Sequence, residues 1–161
     1  MTKSRTRMAN EAWEALFRAQ ATVHRELVAA DVWDQVSPNE YGVLYALAKA
    51  PDGLRITDLG DDALLTQPGM SRLVGRLEKR GLVERRDDPD DARACRIRLT
   101  AEGSEVQRRV GSAHARQVAT AMTRALSGAE LEKLQDLSRA LIAASPPPMK
   151  GAWSDRPERR G

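Results

Sequence analysis

At 161 residues the chain suits a single domain with its own core, and its 41% hydrophobic and 30% charged residues are typical of a globular protein. One cysteine excludes an internal disulfide and a multi-cysteine zinc site, and three Trp, two Tyr and one Phe are too few for an aromatic platform that stacks single-stranded bases. The net charge of +3 permits a polyanionic partner. No apolar run reaches the length of a signal-peptide core or a membrane span, so we expect a cytoplasmic protein without a membrane partner.

The N-terminal third predicts a tail and two helices. Residues 1–9 are basic and are expected to be a flexible tail. From Asn10 to about Val32 apolar residues recur at helical spacing, which predicts a long amphipathic helix within residues 10–36. In SPNEYGVLYALAKA, Ser37 can cap, Pro38 fits the first helical position and Glu40 closes a capping box, so a second helix is expected to run to Ala50.

The middle of the chain predicts a helix, a tight turn and a second helix. ITDLGDDALL can form a short helix over about 57–63, and TQPGMSRLVGRLEKRG predicts a longer one from Thr66 to its stop at Gly81. One face of this longer helix is apolar, with Met70, Leu73, Val74 and Leu77. The outward face carries four cations, namely Arg72, Arg76, Lys79 and Arg80.

After Gly81 the period changes to that of strands. LVERR and CRIRL predict two short strands, and the polar segment DDPDDARA between them predicts a protruding hairpin tip. Cys95 shares the side of Ile97 and Leu99, so it is expected to face the apolar side of the hairpin. Thr100 then caps a helix to about Ala125, and the final helix begins with a capping box, while residues 145–161 are expected to be disordered.

The predicted fold is mainly α with a small β-wing. A winged helix-turn-helix lobe spans residues 37–100, between an N-terminal dimerisation helix at 10–36 and C-terminal dimerisation helices at 101–144. The flanking helices carry more apolar residues than one small lobe can cover, which predicts a dimer interface; packing within the monomer is the alternative. The residues predicted for this interface are Leu16, Phe17, Leu131, Leu134 and Leu141.

The segment TQPGMSRLVGRLEKRGLVERRDDPDDARACRIRLTAEG resembles the MarR (multiple antibiotic resistance regulator) family of bacterial transcription factors. The likeness extends over about residues 10–144, and its most specific parts are SRLVxRLEKRGLVER, the Asp91-x-Arg93 pair and LTAEG. The family commonly has Asp-Arg-Arg where this chain has Asp91-Ala92-Arg93. The resemblance implies a homodimer on a pseudopalindromic operator and repression relieved by a small ligand or by oxidation.

The N-terminal residues of a helix in the major groove are the ones that reach base edges. Gln67 could read adenine and Arg72 guanine, while a merely solvated cationic face is the alternative. The predicted major-groove residues are Thr66, Gln67, Pro68, Ser71, Arg72 and Arg76.

In the hairpin tip, Asp91 is expected to hydrogen-bond the Arg93 guanidinium and direct it into the minor groove; a surface ion pair without function is the alternative. Arg86 belongs to the strand arginines that offset the tip carboxylates at positions 87, 88, 90 and 91.

A crevice between the dimer region and the DNA-binding lobe is implied by the resemblance, and an aromatic ligand could bind there. The residues on the segments that border it are Trp13, His24, Trp33, Tyr41 and Tyr45, with core packing as the alternative. His24 and His114 are far apart in sequence, so no metal or cofactor is predicted. A redox switch is not favoured, because peroxide-sensing relatives use a cysteine near the start of the first helix and this chain has none there.

The function predicted from these patterns is that of a dimeric, sequence-specific regulator that binds double-stranded DNA. A winged-helix module that docks an acidic protein partner is the alternative. No Gly-rich phosphate loop, metal cluster or Ser/His/Asp arrangement indicates an enzyme.

Overall fold

The computed structural model of the protein describes residues 4–60 and 67–146. Within them six helices and one two-stranded antiparallel hairpin follow in chain order: α1 (Arg5–Val28), α2 (Pro38–Ala48), α3 (Ile56–Leu59), α4 (Gln67–Lys79), β1 (Val83–Asp88), β2 (Asp91–Leu99), α5 (Ala101–Thr123) and α6 (Gly128–Ala144). This order confirms the mainly helical fold with a small β-wing. None of the helices in the described residues is both long enough and apolar enough to cross a bilayer.

The first helix begins within the segment predicted to be a flexible tail, so that prediction is wrong for the residues after Ser4. The Ser4 hydroxyl accepts a hydrogen bond from the backbone N–H of Arg7 at 3.2 Å, and Arg7 pairs with Glu11 one turn later at 2.9 Å. α1 ends at Val28, earlier than predicted. At the C-terminus of α1, Trp33 Nε1 donates a hydrogen bond to the Val28 carbonyl at 3.0 Å.

The local capping signals are confirmed. Ser37 and Glu40 form both hydrogen bonds of a capping box at the start of α2, and Ser127 and Glu130 do the same at the start of α6. The Thr100 hydroxyl accepts from the third residue of α5. Each signal lies within one turn of chain, which is why the sequence alone reveals it.

The helix-turn-helix is described in part. α3 spans Ile56–Leu59, close to the predicted start, and residues 61–63 of the predicted short helix lie outside the described residues, as does Thr66. α4 ends just before Gly81, whose φ of 70° is the left-handed conformation expected at such a stop.

The hairpin is longer than predicted, because most of DDPDDARA lies in the strands and only residues 89–90 connect them. The register pairs Val83 with Leu99 and shifts between Asp87 and Asp88. Leu54 forms an isolated antiparallel bridge with β2. Two backbone hydrogen bonds join it to Ile97, at 3.0 and 2.8 Å. The base of the hairpin is therefore tied to the segment that enters α3.

The core lies between α2, α4, the hairpin and the first half of α5. Its fully buried side chains are Leu44, Leu47, Met70, Leu77, Ile97, Val74, Val83 and Val110. α5 approaches closely at Gly103, where a Cβ would overlap the Leu82 carbonyl oxygen. Neither α1 nor α6 contains a buried residue, so both helices lie outside this core.

Candidate nucleic-acid interface

The apolar face of α4 sets the rotation of that helix. Met70, Leu73 and Val74 are all buried in the core, as the spacing predicts. Ser71 and Arg72 project from the opposite side and are exposed. Arg72 has no ion pair within the part of the chain that the structure describes, so its guanidinium is available to an outside partner.

The predicted major-groove residues are therefore only partly described. Ser71 and Arg72 lie together on the outward face of α4. Gln67 and Pro68 begin the helix, but their side chains are outside what the structure describes. Their proposed base contacts stay predictions.

Two cations, Arg76 on α4 and Arg80 just after its end, point toward a buried carboxylate at the start of α2. Arg80 Nη1 lies 3.3 Å from Glu40 Oε2, and Arg76 Nε lies 3.6 Å from Glu40 Oε1. The Arg76 side chain remains 58% exposed, so its predicted contact with DNA stays a prediction, but part of its charge is balanced by Glu40. The sequence signalled Glu40 only as a capping residue, because its partners lie far along the chain.

The Asp91 carboxylate does not direct the Arg93 guanidinium, and that prediction is wrong. Asp91 Oδ1 accepts instead from the backbone N–H of Arg93 at 3.0 Å, and Asp91 Oδ2 lies 3.9 Å from Arg55 Nη1. An aspartate reaches the backbone two residues on more readily than a long side chain on the same turn. Arg93 is nevertheless exposed at the hairpin.

Two arginines of β1 are engaged with nearby acids. Arg86 makes two hydrogen bonds to Glu84, at 2.9 and 3.1 Å, and these raise the pKa of the Arg86 guanidinium. Arg85 donates to Glu78 at 2.9 Å, and its Nη1 lies 3.8 Å from Cys95 Sγ. Cys95 is half-buried and packs against the core, which confirms its predicted side of the hairpin.

The sequence predicts that Asp88 lies at a protruding tip near DNA phosphates, and this prediction is wrong. Its carboxylate is buried, and it accepts hydrogen bonds from Arg55 and Arg96. Donation from Arg55, then from the backbone of Asp90, holds the pKa of Asp88 far below its usual range. No spacing in the sequence indicates this, because Arg55 precedes Asp88 by 33 residues.

A cavity of about 810 Å³ opens between α2 and α5, with Tyr41, Tyr45, Gln107, Arg108, Gly111, Ser112, His114, Ala115 and Val118 as its lining. Of the predicted pocket residues, only Tyr41 and Tyr45 line it. Trp33 lies behind them, with its ring 4.9 Å from that of His114. Trp13 and His24 lie on α1, are exposed and do not line this cavity, so the structure does not bring them to this site.

His114 also lines the cavity, although the sequence did not predict it there. Its Nδ1 is buried without a hydrogen-bond partner among the described residues, and burial lowers the pKa of its imidazole. Burial also raises the pKa of the Tyr41 phenol, which lies beside it. Burial therefore favours the neutral form of both side chains, and both rings line the cavity.

The residues predicted for dimerisation lie on exposed helix faces. Phe17 is 58% and Leu141 59% exposed, and Leu16 is also exposed, while Leu131 and Leu134 on α6 are half-buried. None of these side chains is buried in the monomer core, and their role in a dimer stays a prediction.

The fold and the exposed face of α4 define a winged helix-turn-helix protein. The MarR family model matches residues 34–94. The transcriptional regulator HosA of Escherichia coli O111:H- is 37% identical over 67 residues, which is 42% of this chain and 49% of that protein. The chain thus spans about half the length of the curated relatives it matches.

Solved structures extend the likeness over nearly the whole chain. A MarR family transcriptional regulator from Streptomyces coelicolor, crystallised in complex with DNA, is 30% identical with a TM-score of 0.71, covering 88% of this chain and 90% of its own. PcaV from the same organism, solved with its natural ligand, is 28% identical with a TM-score of 0.58, covering 89% of this chain and 99% of its own. This chain belongs to the MarR family of transcriptional regulators.

Proposed function

We propose that this protein is a transcriptional regulator that binds double-stranded DNA sequence-specifically, with its outward α4 face in the major groove. The observation that carries the proposal is the orientation of α4: Arg72 is exposed and unpaired in the described structure, while Met70, Leu73 and Val74 hold the other face in the core. Arg72 is proposed to read a guanine and Gln67 an adenine, the pairings that major-groove geometry favours. Such a role places the protein with DNA in the bacterial cytoplasm.

The hairpin is proposed to meet the adjacent minor groove through Arg93. A narrow minor groove has an enhanced negative potential that attracts arginine. Arg93 is exposed, and its partner in the described residues is a backbone contact that leaves the guanidinium unengaged. Arg86 contacts the DNA backbone in this proposal, exchanging Glu84 for a phosphate.

The protein is proposed to act as a homodimer through the apolar faces of α1 and α6. Exposed Phe17 and Leu141 support this, since contiguous apolar surface of this kind marks an interface. A twofold dimer presents two α4 helices to two half-sites about one helical turn apart, which implies a pseudopalindromic operator. Repression follows if that operator overlaps a promoter.

A small aromatic or phenolic effector is proposed to bind the cavity between α2 and α5 and release the DNA. The cavity volume lies within the range of small-molecule sites, and Tyr41 and Tyr45 offer aromatic walls. The His114 ring also lines the cavity and offers a further ring surface to an aromatic ligand. A relative of this chain, PcaV, was solved with its natural ligand, which supports an effector in this family branch.

The DNA proposal is tested by fluorescence anisotropy with the fragment upstream of the protein's own gene and a scrambled fragment of equal length and composition. Salt-sensitive binding to the upstream fragment at nanomolar protein, with much weaker binding to the scrambled one, is expected. Arg93→Ala should weaken operator binding, whereas Arg116→Ala, which removes an exposed arginine from α5, should not. Equal binding to both fragments at physiological salt contradicts the proposal and favours a protein-contact module.

A further inference from the structure

Asp88, at the end of β1, carries a carboxylate whose side chain is 0% exposed. Its Oδ2 accepts hydrogen bonds from Arg55 Nε at 2.7 Å and Arg96 Nε at 3.1 Å, and its Oδ1 accepts from the backbone N–H of Asp90 at 2.9 Å. Charge-assisted hydrogen bonds of this length are about twice as strong as neutral ones. One carboxylate therefore holds three separate parts of the lobe.

These parts lie at the places that set the angle of the hairpin. Arg55 directly precedes α3, Arg96 lies on β2, and Asp90 belongs to the connection between the strands. The backbone pairing of Leu54 with Ile97 ties the hairpin to the same segment at a second point. Two attachment points, one near the base and one near the tip, fix the direction in which the hairpin projects from the helix-turn-helix.

Asp88 also controls which cations face outward. Arg96 lines a concavity of about 440 Å³ beside the connection, together with Arg86 and Arg98. While Asp88 holds Arg55 and Arg96, their charge is balanced within the protein. Without Asp88, Arg55 and Arg96 would keep only their longer contacts, to Asp91 at 3.9 Å and to Asp90 at 3.5 Å. Both cations would then be freer to approach DNA phosphates, and phosphate contacts raise affinity for every sequence alike.

We propose that Asp88 is a positioning residue that sets sequence preference: it holds the hairpin at the angle at which Arg93 meets the DNA, and it withholds Arg55 and Arg96 from the phosphates. This inference rests on the proposed function and extends it to a residue that does not itself touch DNA. Loss of Asp88 should weaken specific binding and strengthen non-specific binding at the same time.

The test compares Asp88→Asn with Asp87→Asn in the full chain. The Asp87 side chain is exposed and makes no hydrogen bond or ion pair in the described residues, so its variant removes the same charge one position away. Asp87→Asn should raise affinity for upstream and scrambled fragments equally and leave their ratio unchanged. Asp88→Asn should lower that ratio by about tenfold or more, the loss expected for charged hydrogen bonds, and steepen the salt dependence by about one to two phosphate charges.

A second readout needs no DNA. Amide hydrogen exchange over residues 88–96 should be faster in Asp88→Asn than in the wild type or Asp87→Asn, because the hairpin has lost one of its two attachments. If the wild type prefers its upstream fragment but both variants keep that ratio, the specificity role is overturned. If exchange in the hairpin is unchanged, the positioning role is overturned.

Failure of the proposed function gives a different result. If the wild type itself binds both fragments equally, the proposed function and the specificity role fall together, while hydrogen exchange still decides whether Asp88 positions the hairpin. Should Asp88→Asn fail to fold by circular dichroism, Arg55→Gln removes the shortest of the three hydrogen bonds and keeps Arg96 paired. It should lower the ratio in the same direction by a smaller factor, and an unchanged ratio would overturn the specificity role.

Discussion

Arg80 joins the end of α4 to the start of α2 through Glu40: Arg80 Nη1 lies 3.3 Å from Glu40 Oε2. The same Arg80 donates from Nη2 to the Gln35 carbonyl at 2.6 Å, and Glu40 Oε2 accepts from the backbone N–H of Ser37 at 2.9 Å. The Glu40 side chain is nearly buried. The angle between the two helices is therefore held by one carboxylate that also caps α2.

Replacing Glu40 should destabilise the lobe. Glu40→Ala removes the cap acceptor and leaves Arg80 without its carboxylate, so we expect a loss of about 1–3 kcal/mol in the free energy of unfolding. Glu40→Gln keeps an oxygen for the Ser37 amide and should lose less. Urea denaturation followed by circular dichroism at one fixed protein concentration measures both, and equal losses would contradict the double role of Glu40.

Arg72 is expected to carry base discrimination. Arg72→Ala should relax the preference at one operator position by about 1–3 kcal/mol, because a bidentate contact to guanine is lost. Lys79→Ala, on the exposed side of the same helix, is the matched control and should leave the preference unchanged. Binding to operators varied one base pair at a time measures the effect, and an unaltered pattern with Arg72→Ala excludes base reading by this residue.

Leu141 is expected to stabilise a dimer. Leu141→Glu places a charge on the apolar face of α6 and removes a contact of about 1.5–3 kcal/mol, which a twofold interface loses twice. Lys133→Glu alters charge on an exposed position of the same helix and should leave the oligomeric state intact. Sedimentation equilibrium distinguishes them. A wild-type protein that stays monomeric at micromolar concentration would refute the dimer itself.

Filling the cavity should block the effector without touching the DNA-binding face. Ala115→Phe puts a ring against the lining of the cavity and is expected to weaken release of operator DNA by aromatic acids by about tenfold or more. Ala119→Phe makes the same change one turn along α5, outside the lining. The probes are benzoate, phenol and phenylacetate, with cyclohexanecarboxylate as the non-aromatic control. If no probe releases the DNA from the wild type, the aromatic effector is refuted.

Asp88 should make the protein sensitive to acid. Its pKa is depressed in the folded state, chiefly by Arg55, so below about pH 4 the unfolded chain binds a proton that the folded chain does not. Asp88 thus contributes its full stabilisation at pH values above the pKa that it has in the unfolded chain. This contribution declines as the pH falls toward the pKa that Asp88 has in the folded protein. Thermal unfolding from pH 7 to pH 3 should show the wild type losing its advantage over Asp88→Asn. A constant gap across that range would contradict the shift.

The interface predictions succeeded where the information is local. The capping boxes at Ser37 and Ser127 lie within one helical turn, and the apolar stripe of α4 lies within two. Side chains at these spacings meet as soon as the helix forms, so their roles are visible without any other part of the chain. The same reasoning correctly placed Arg72 on the outward face and Cys95 on the inward one.

The interface predictions failed where a carboxylate bonds a partner that the sequence pattern did not indicate. Asp91 bonds the backbone rather than the Arg93 guanidinium, and Asp88 is buried against Arg55 instead of standing at the tip. In the cavity, Tyr41 and Tyr45 meet His114 of α5, while Trp13 and His24 remain on α1. Nothing near Asp88 or the cavity residues in sequence indicates their partners, whereas the Asp91 contact follows from the tendency of aspartate to bond the backbone two residues on.

The amino-acid order alone determined the class of fold, the starts of α2, α5 and α6, the outward cationic face and the exposed apolar flanks, because periodicity and capping act over a few residues. The tertiary structure decided which charged side chains are paired within the protein and which remain available to DNA or another outside partner. Glu40 lies 40 residues before Arg80, and Arg55 lies 33 before Asp88. Ion pairs form between whichever groups the packing of the core brings within about 4 Å, and that packing is a property of the whole lobe rather than of any one segment.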